Sequence, residues 1–201
     1  MTTRVIQVAT PHGRPYQMEV RDDTSDSNTV WSSAHPNNEY HIPEGLTGWA
    51  VDVGAHIGAW LVPMLTDNPS MRAIAIEALP ENVTLIGRNL ALNGLTGRAV
   101  VIHAAASDDS LPVAIGYGEV ADPTLIHEFI GNANAPDGSR TVLAPGITLI
   151  ETLALVHVGG GGGRIARMKI DCEGCEFSFL DSPAVGAVAH IEGEHHGSHQ
   201  R

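Results

Sequence analysis

Basic residues are scarce in this chain: 11 Lys and Arg stand against 23 Asp and Glu, a formal net charge of −12. A protein that grips duplex nucleic acid through its phosphates presents a basic face, so duplex nucleic acid is not an expected partner. Cysteine is scarcer still. The two present, Cys172 and Cys175, are spaced C-x-x-C, which argues against a disulfide scaffold. No apolar segment approaches the ~20 residues of a membrane span, and the amino terminus has no signal-peptide pattern. Internal repeats are absent. These absences point to a soluble, cytoplasmic protein with no membrane partner. Two nucleotide fingerprints are missing as well. Residue 56 is His56 where Gly-x-Gly-x-x-Gly needs its second glycine, and no Gly-x-x-x-x-Gly-Lys-Ser/Thr run exists.

What is present centres on Trp49 to Trp60, WAVDVGAHIGAW. Ala50, Val51 and Val53 make a short β-branched run, as in a buried strand, with Asp52 inside it. Gly54 and Gly58 follow, and helix-compatible residues resume at Ala59. A strand, a glycine turn and a helix start form the element that carries nucleotide-like ligands at the carboxyl edge of a parallel sheet. The glycines allow the backbone to pass close to a ligand. A second apolar run, Ala73 to Ala78, contains Glu77 near its end, placed to accept hydrogen bonds from ribose hydroxyls. Asp52-x-Gly54 followed by Glu77 is the pattern of the S-adenosylmethionine (SAM) site of class I methyltransferases.

The remaining motifs sharpen this. EALPEN, RNLALNG, AAASD and KIDCEGCE follow VDVGAHIG in order, and the set resembles the FkbM-like family of SAM-dependent methyltransferases over about residues 40–181. SDSNTV and EYHIP look like weaker pieces of the family's lead-in. The resemblance implies a Rossmann-like α/β fold with a mostly parallel sheet, SAM as cofactor, and methyl transfer to a small-molecule or sugar-like hydroxyl. N-methylation is a related option. The rival of another class is a non-catalytic metal-binding or assembly protein using CEGC and the histidine-rich tail.

The 201 residues fit one domain, long enough to bury roughly 70% of the unfolded surface. Residues 1–45 form an N-terminal β-hairpin (Arg4 to Arg21) and lead-in, with DDTSDSNT and HPNNEYHIPEG as polar loops. Residues 46–201 form the α/β core. Its expected elements are strands ending near Val53, over Ala73–Ala78, Val100–Ala105, Ala166–Asp171 and Ala187–Glu192. Helices are expected over Ala59–Leu65, from Pro80 to an Asn93-Gly94 cap, over ITLIETLAL, and from Glu176 to Leu180. An insert at about 109–145 holds a strand in LPVAIGYG and a loop in GNANAPDGS, where an acceptor-binding lid can sit. Gly159–Gly163 reads as a surface connector. The last two strands of the full methyltransferase sheet have no residues left to form them. The exposed fifth strand makes a homodimer an expectation, unless the hairpin or the insert covers that edge.

The expected cofactor contacts are Asp52, Gly54, Ala55, His56 and Gly58 in the turn, Glu77, Ala78 and Leu79 after the second strand, and Ser107 and Asp108. Leu79 is placed to cover a face of the adenine, and the resemblance sets Asp108 near it. Asp52 can instead brace the loop and Asp108 can cap. His56 departs from the Asn expected in the family; it can donate to the cofactor carboxylate or fill the loop's polar position. His103 reads as a core histidine. Asp171 and Glu173 end the fourth strand and face the switch-point crevice, so both are catalytic candidates. His195 is a third, as a general base near neutral pH; Glu194 and His196 reach the same edge. Cys172 and Cys175 read as packing residues rather than half of a zinc site, and no metal is assigned.

Overall fold

The computed structural model describes residues 2–37, 40–117 and 140–194; the GNANAPDGS loop and His195 lie outside the described residues. The centre is a five-stranded parallel sheet in the order β11 (Ile191–Gly193), β10 (Arg167–Ile170), β3 (Gly48–Val53), β4 (Met71–Glu77), β5 (Ala99–His103). The chain runs outward from β3 to β5, then returns to lay β10 on the other side of β3. The switch point therefore lies between β3 and β10, at their carboxyl ends, where open α/β sheets bind ligands.

Alternation along the strands sends side chains into two layers. Ala50, Ala73 and Ala75 pack with Trp60 and Leu61, and with Leu85, Ile86 and Leu90 of helix α3 (Pro80–Leu92). Val51, Val53, Ile74, Ile76, Met168 and Ile170 pack on the other face with helices α4 (Leu149–Val156) and α5 (Glu176–Leu180). Pro80 occupies the first turn of α3, where its missing N–H leaves no gap. A capping box closes the start of α4: Thr148 accepts from the Glu151 N–H, and Glu151 accepts from the Thr148 N–H.

The hairpin forms as expected from β1 (Thr3–Ala9) and β2 (Pro15–Arg21). Tyr16, Met18 and Val20 are buried along β2. Asn89 of α3 and its C-cap Asn93 bond to the backbone of Glu19 and Gln17, which fixes the hairpin to the α3 layer rather than to the β11 edge.

Several elements depart from the sequence reading. The polar stretch DDTSDSNT is only partly loop, because helix α1 (Asp26–Ala34) begins inside it. Its stability is tertiary: Asp26 is paired with Arg21, and Val30 is fully buried. Helix α2 spans Leu61–Asp67, two residues later than expected, since Ala59 and Trp60 still belong to the glycine turn. The third strand stops at His103; Ala105–Ala106 (β6) then pairs with Gly146–Ile147 (β9) instead. The insert forms the expected strand in LPVAIGYG, β7 (Val113–Tyr117), and pairs it with an unforeseen antiparallel partner, β8 (Arg140–Ala144). The fifth strand begins only at Ile191, because Val185–Ala187 is a 3-10 turn.

The glycine run is more than a connector. A wide turn over His157–Gly161 wraps the Trp49 indole, and a Cβ on Gly159 would stand 2.3 Å from that ring. Arg72 stacks 4.9 Å from the Trp49 centroid and donates to the Gly159 carbonyl at 2.9 Å. Gly159 and Gly161 are bare because the indole fills the space of their side chains, while Gly160, Gly162 and Gly163 take positive φ. Cys175 packs in the core and Cys172 against it, as expected, and the two are joined by a disulfide that the spacing did not disclose. None of the described helices is long and apolar enough to cross a membrane.

Candidate active site

A cavity of about 280 Å³ opens over the carboxyl ends of β3, β4 and β10. At the β4 end stands Glu77, nearly buried. Its Oε2 accepts from the His56 N–H at 2.8 Å, and its Oε1 from the Leu79 N–H at 2.9 Å and the Asn82 amide at 3.2 Å. Neutral donors therefore fix the carboxylate at the cavity wall, with acceptor capacity left for a ligand hydroxyl. Ala78, Ala104 to Ala106 and Ile115 make the apolar wall beside it.

The turn after β3 joins this end to the next. Gly54 has φ +73°, and a Cβ there would lie 1.9 Å from the Asp171 carbonyl oxygen. The glycine is thus dictated first by the close approach of the β10 end, a reason the sequence alone did not show. His56 also holds a left-handed backbone, φ +52°, as does Glu173 across the cavity, φ +54°. For side-chain-bearing residues such φ values are strained, and they persist where the surroundings over-determine them. His56 is held by its backbone bond to Glu77 and by its ring: Nε2 lies 3.2 Å from Asp26 Oδ1 and 3.3 Å from Arg21 Nη2. Arg21 in turn donates twice to Asp26 through its guanidinium, at 2.9 and 2.8 Å. Burial alone would raise the Asp26 pKa, but the contacts with His56 and Arg21 outweigh it and hold the carboxyl well below the usual range. The ring of His56 thus points to the hairpin and α1. Thr29 and Ser33 of α1, and Tyr40 after it, complete that wall of the cavity.

The β10 end is built on charge. Register places Lys169 directly opposite Asp52 of β3. The Lys169 ammonium lies 3.4 Å from Asp52, 3.5 Å from Asp171 and 3.3 Å from the Gly54 carbonyl, and 5.0 Å from the Tyr40 ring. Burial works against this ammonium, yet Asp52 and Asp171 outweigh it and raise its pKa. Burial pushes the Asp52 carboxyl up to about 6, with Lys169 pulling in the opposite direction. Asp171, Glu173 and Glu194 line the same end of the cavity.

The expected residues thus divide. Gly54, Ala55, His56, Glu77, Ala78, Asp171 and Glu173 lie together on the cavity. Asp52 is fully buried beneath it, against Lys169. Gly58 is not part of the lining; its positive φ shapes the turn beside Val62 and Ile86. Leu79 is not part of the lining; it is fully buried in a small core with Ala105, Ile115 and Ala144, and its backbone N–H donates to Glu77. Ser107 is buried and bonds to Asp109, and Asp108 is exposed, so neither borders the cavity. Lys169, Asn82 and Trp60 are lining residues that the sequence reading passed over. Lys169 was detectable: on a strand it shares a face with Asp171, two residues on. Among the described residues no group of three or more His, Cys, Asp or Glu is arranged to hold a metal ion.

The profile of the methyltransferase FkbM domain matches residues 52–201. The chain belongs to the FkbM methyltransferase family. The match begins within β3, so the hairpin and α1 lie ahead of it, although α1 and Tyr40 supply a cavity wall. A precorrin-6Y C(5,15)-methyltransferase (decarboxylating) from a Sinorhizobium species is 31% identical over 122 residues, 59% of this chain and 29% of that protein. The chain thus spans less than a third of that relative. The solved precorrin-6y C5,15-methyltransferase of Geobacter metallireducens is 17% identical, with a TM-score of 0.29 over 39% of this chain and 36% of its own. The solved structure of M. jannaschii TYW2 in complex with AdoMet is 16% identical, with a TM-score of 0.30 over 44% of this chain and 38% of its own. The family implies SAM as cofactor, and the residues present fit it. Glu77 offers a fixed acceptor for ribose hydroxyls, the alanine and Ile115 wall is apolar enough for a base, and the switch point lies open between them.

Proposed function

We propose that this FkbM-family domain transfers a methyl group from SAM to a hydroxyl of a small, sugar-like acceptor. The observation that carries the reading is Glu77, pinned at the cavity by the backbone of the glycine turn and facing, across one cavity, the carboxylate of Asp171. Glu77 takes the ribose, and the turn from Gly54 to His56 supports the amino-acid end. Bound SAM supplies an electrophilic methyl group on a positively charged sulfur. Asp171 orients the acceptor hydroxyl and receives its proton as the new O–C bond forms, while the electron pair of the broken S–C bond stays on sulfur. Glu173 and Glu194 shape the acceptor side. Their negative charge supports an amine acceptor as a second reading, since it attracts an ammonium.

Calorimetric titration tests the cofactor half. Wild-type protein should bind SAM and S-adenosylhomocysteine, and Glu77→Ala should weaken both by about 1.5–3 kcal/mol, the range for a hydrogen bond to a charged group. Absence of heat with either ligand would overturn the reading. Radiolabelled transfer to panels of polyols and of amines then separates the two acceptor classes.

A further inference from the structure

The C-x-x-C pair lies where the sheet meets the cavity, and neither cofactor binding nor methyl transfer makes use of it. The chain passes directly from Asp171 into Cys172, and both cysteines line the β10 end of the cavity. Cys175 is buried in the core beside Phe179 and is the N-cap of α5, while Cys172 is half-buried. The disulfide therefore fastens a cavity-side residue to the core. Between the two, Glu173 (φ +54°) and Gly174 (φ +110°) take left-handed backbone. For Glu173 that conformation is unfavourable, and it persists while its surroundings impose it. A cross-link that spans two residues is such a constraint.

The same loop touches the glycine turn. A Cβ on Gly54 would stand 1.9 Å from the Asp171 carbonyl oxygen and 3.0 Å from the Cys172 Cα, so turn and loop pack backbone to backbone. The Asp171 N–H donates to the Val53 carbonyl at 3.0 Å, which holds the end of β10 on β3 in either state of the cysteines. Opening the cross-link thus frees the chain from Cys172 onward and loosens the packing on Gly54. Resting on the cofactor reading above, that turn supports the amino-acid end of SAM, while Glu77 takes the ribose at the β4 end.

We propose that Cys172 and Cys175 form a thiol–disulfide switch that sets the grip of the glycine turn on the cofactor, tight when oxidised and weak when reduced. The co-reactant is a dithiol. One of its thiolates attacks the half-buried Cys172 sulfur, the S–S bond breaks, and Cys175 leaves as a thiolate and takes up a proton. The second thiol of the reductant then resolves the mixed disulfide and releases the Cys172 thiol. The protein gains two electrons and two protons, and the reductant ends as its own disulfide.

The full chain is oxidised with diamide or reduced with dithiothreitol, its thiols are counted by alkylation and mass, and each form is titrated calorimetrically. Oxidised protein should show no free thiol and reduced protein two. Reduction should weaken S-adenosylhomocysteine by about tenfold, within the usual range of coupling between two sites. The analogue 5′-methylthioadenosine keeps the adenosine but lacks the amino-acid end, and should bind both forms within about threefold. Cys172→Ser removes the cross-link, leaves Cys175 in the core, and should bind S-adenosylhomocysteine like reduced protein with or without dithiothreitol. By linkage, saturating S-adenosylhomocysteine should lower the midpoint potential of the pair by about 30 mV, the equivalent of tenfold for two electrons. Two free thiols after oxidation, constants for S-adenosylhomocysteine within about twofold in the two forms, or an equal loss for 5′-methylthioadenosine each overturn the inference and leave the cofactor reading standing. If neither form binds SAM or S-adenosylhomocysteine, both fall.

Discussion

The two ends of the cavity are built by different means. At the β4 end Glu77 is held by two backbone N–H groups and an amide, all neutral and all local to the strand ends. At the β10 end Asp171 is held by a buried ammonium that also serves Asp52 on the neighbouring strand. The first design resembles a fixed socket: its donors belong to turns that fold with the sheet. The second depends on charges that must be desolvated together, so it responds to pH and to any single substitution. The two are joined at Gly54, whose turn bonds to β4 and whose bare Cα abuts β10.

Breaking that joint should have the largest effect. In Gly54→Ala the new Cβ meets the Asp171 carbonyl at 1.9 Å on a backbone with φ +73°. Backbone on both sides leaves no side chain to give way. A loss of more than about 5 kcal/mol, or failure to fold, is expected in urea titration. Unfolding free energy within about 1 kcal/mol of wild type would mean that the two ends do not share this contact.

The socket is braced from outside by Asp26, which pairs with Arg21 and His56. Asp26→Ala strands the buried Arg21 guanidinium and should destabilise by about 3–5 kcal/mol at neutral pH. Because the folded Asp26 pKa lies below its unfolded value, the stability it contributes is present above the unfolded value and lost as pH falls. The deficit of the variant should therefore narrow below about pH 4. A deficit independent of pH would remove the ionic account of this brace.

The charged end carries the opposite sign. Asp52 has a folded pKa of about 6, above the unfolded value. Its protonated form is the favoured one in the folded state, so its contribution is fully present below about pH 4 and lost as pH rises through about 6. Relative to wild type, Asp52→Asn should gain about 2–3 kcal/mol between pH 4 and pH 7, the linkage equivalent of about two pKa units. Parallel pH–stability curves for the two proteins would show that Lys169 fully compensates the buried carboxylate.

The sheet was legible because its strands are nearly continuous apolar runs, and the glycine turn and Glu77 because they sit at strand ends, where local pattern fixes position. Helix α1 was not: DSNTVWSSA has little helical preference of its own, and the Arg21–Asp26 pair and the burial of Val30 stabilise it only in the fold. The direction of Leu79 was equally hidden. Two residues beyond the strand, either the cavity or the insert hairpin can receive its side chain, and it packs with the hairpin. The glycine run lies at the surface as expected, but backbone freedom and close packing call for the same residue, and only the Trp49 indole shows that Gly159 and Gly161 serve the second.

By itself, the sequence determined the parallel α/β class, the order of its motifs, and the carboxylate that closes the second core strand. Those follow from periodicity and from residues adjacent in the chain. The tertiary structure alone decided that Lys169 faces Asp52 across two strands, that residues ahead of the family match complete the cavity, and that Gly54 is bare because Asp171 lies against it. Each of these joins positions far apart in the chain, and register and crossover, not local propensity, bring such positions together.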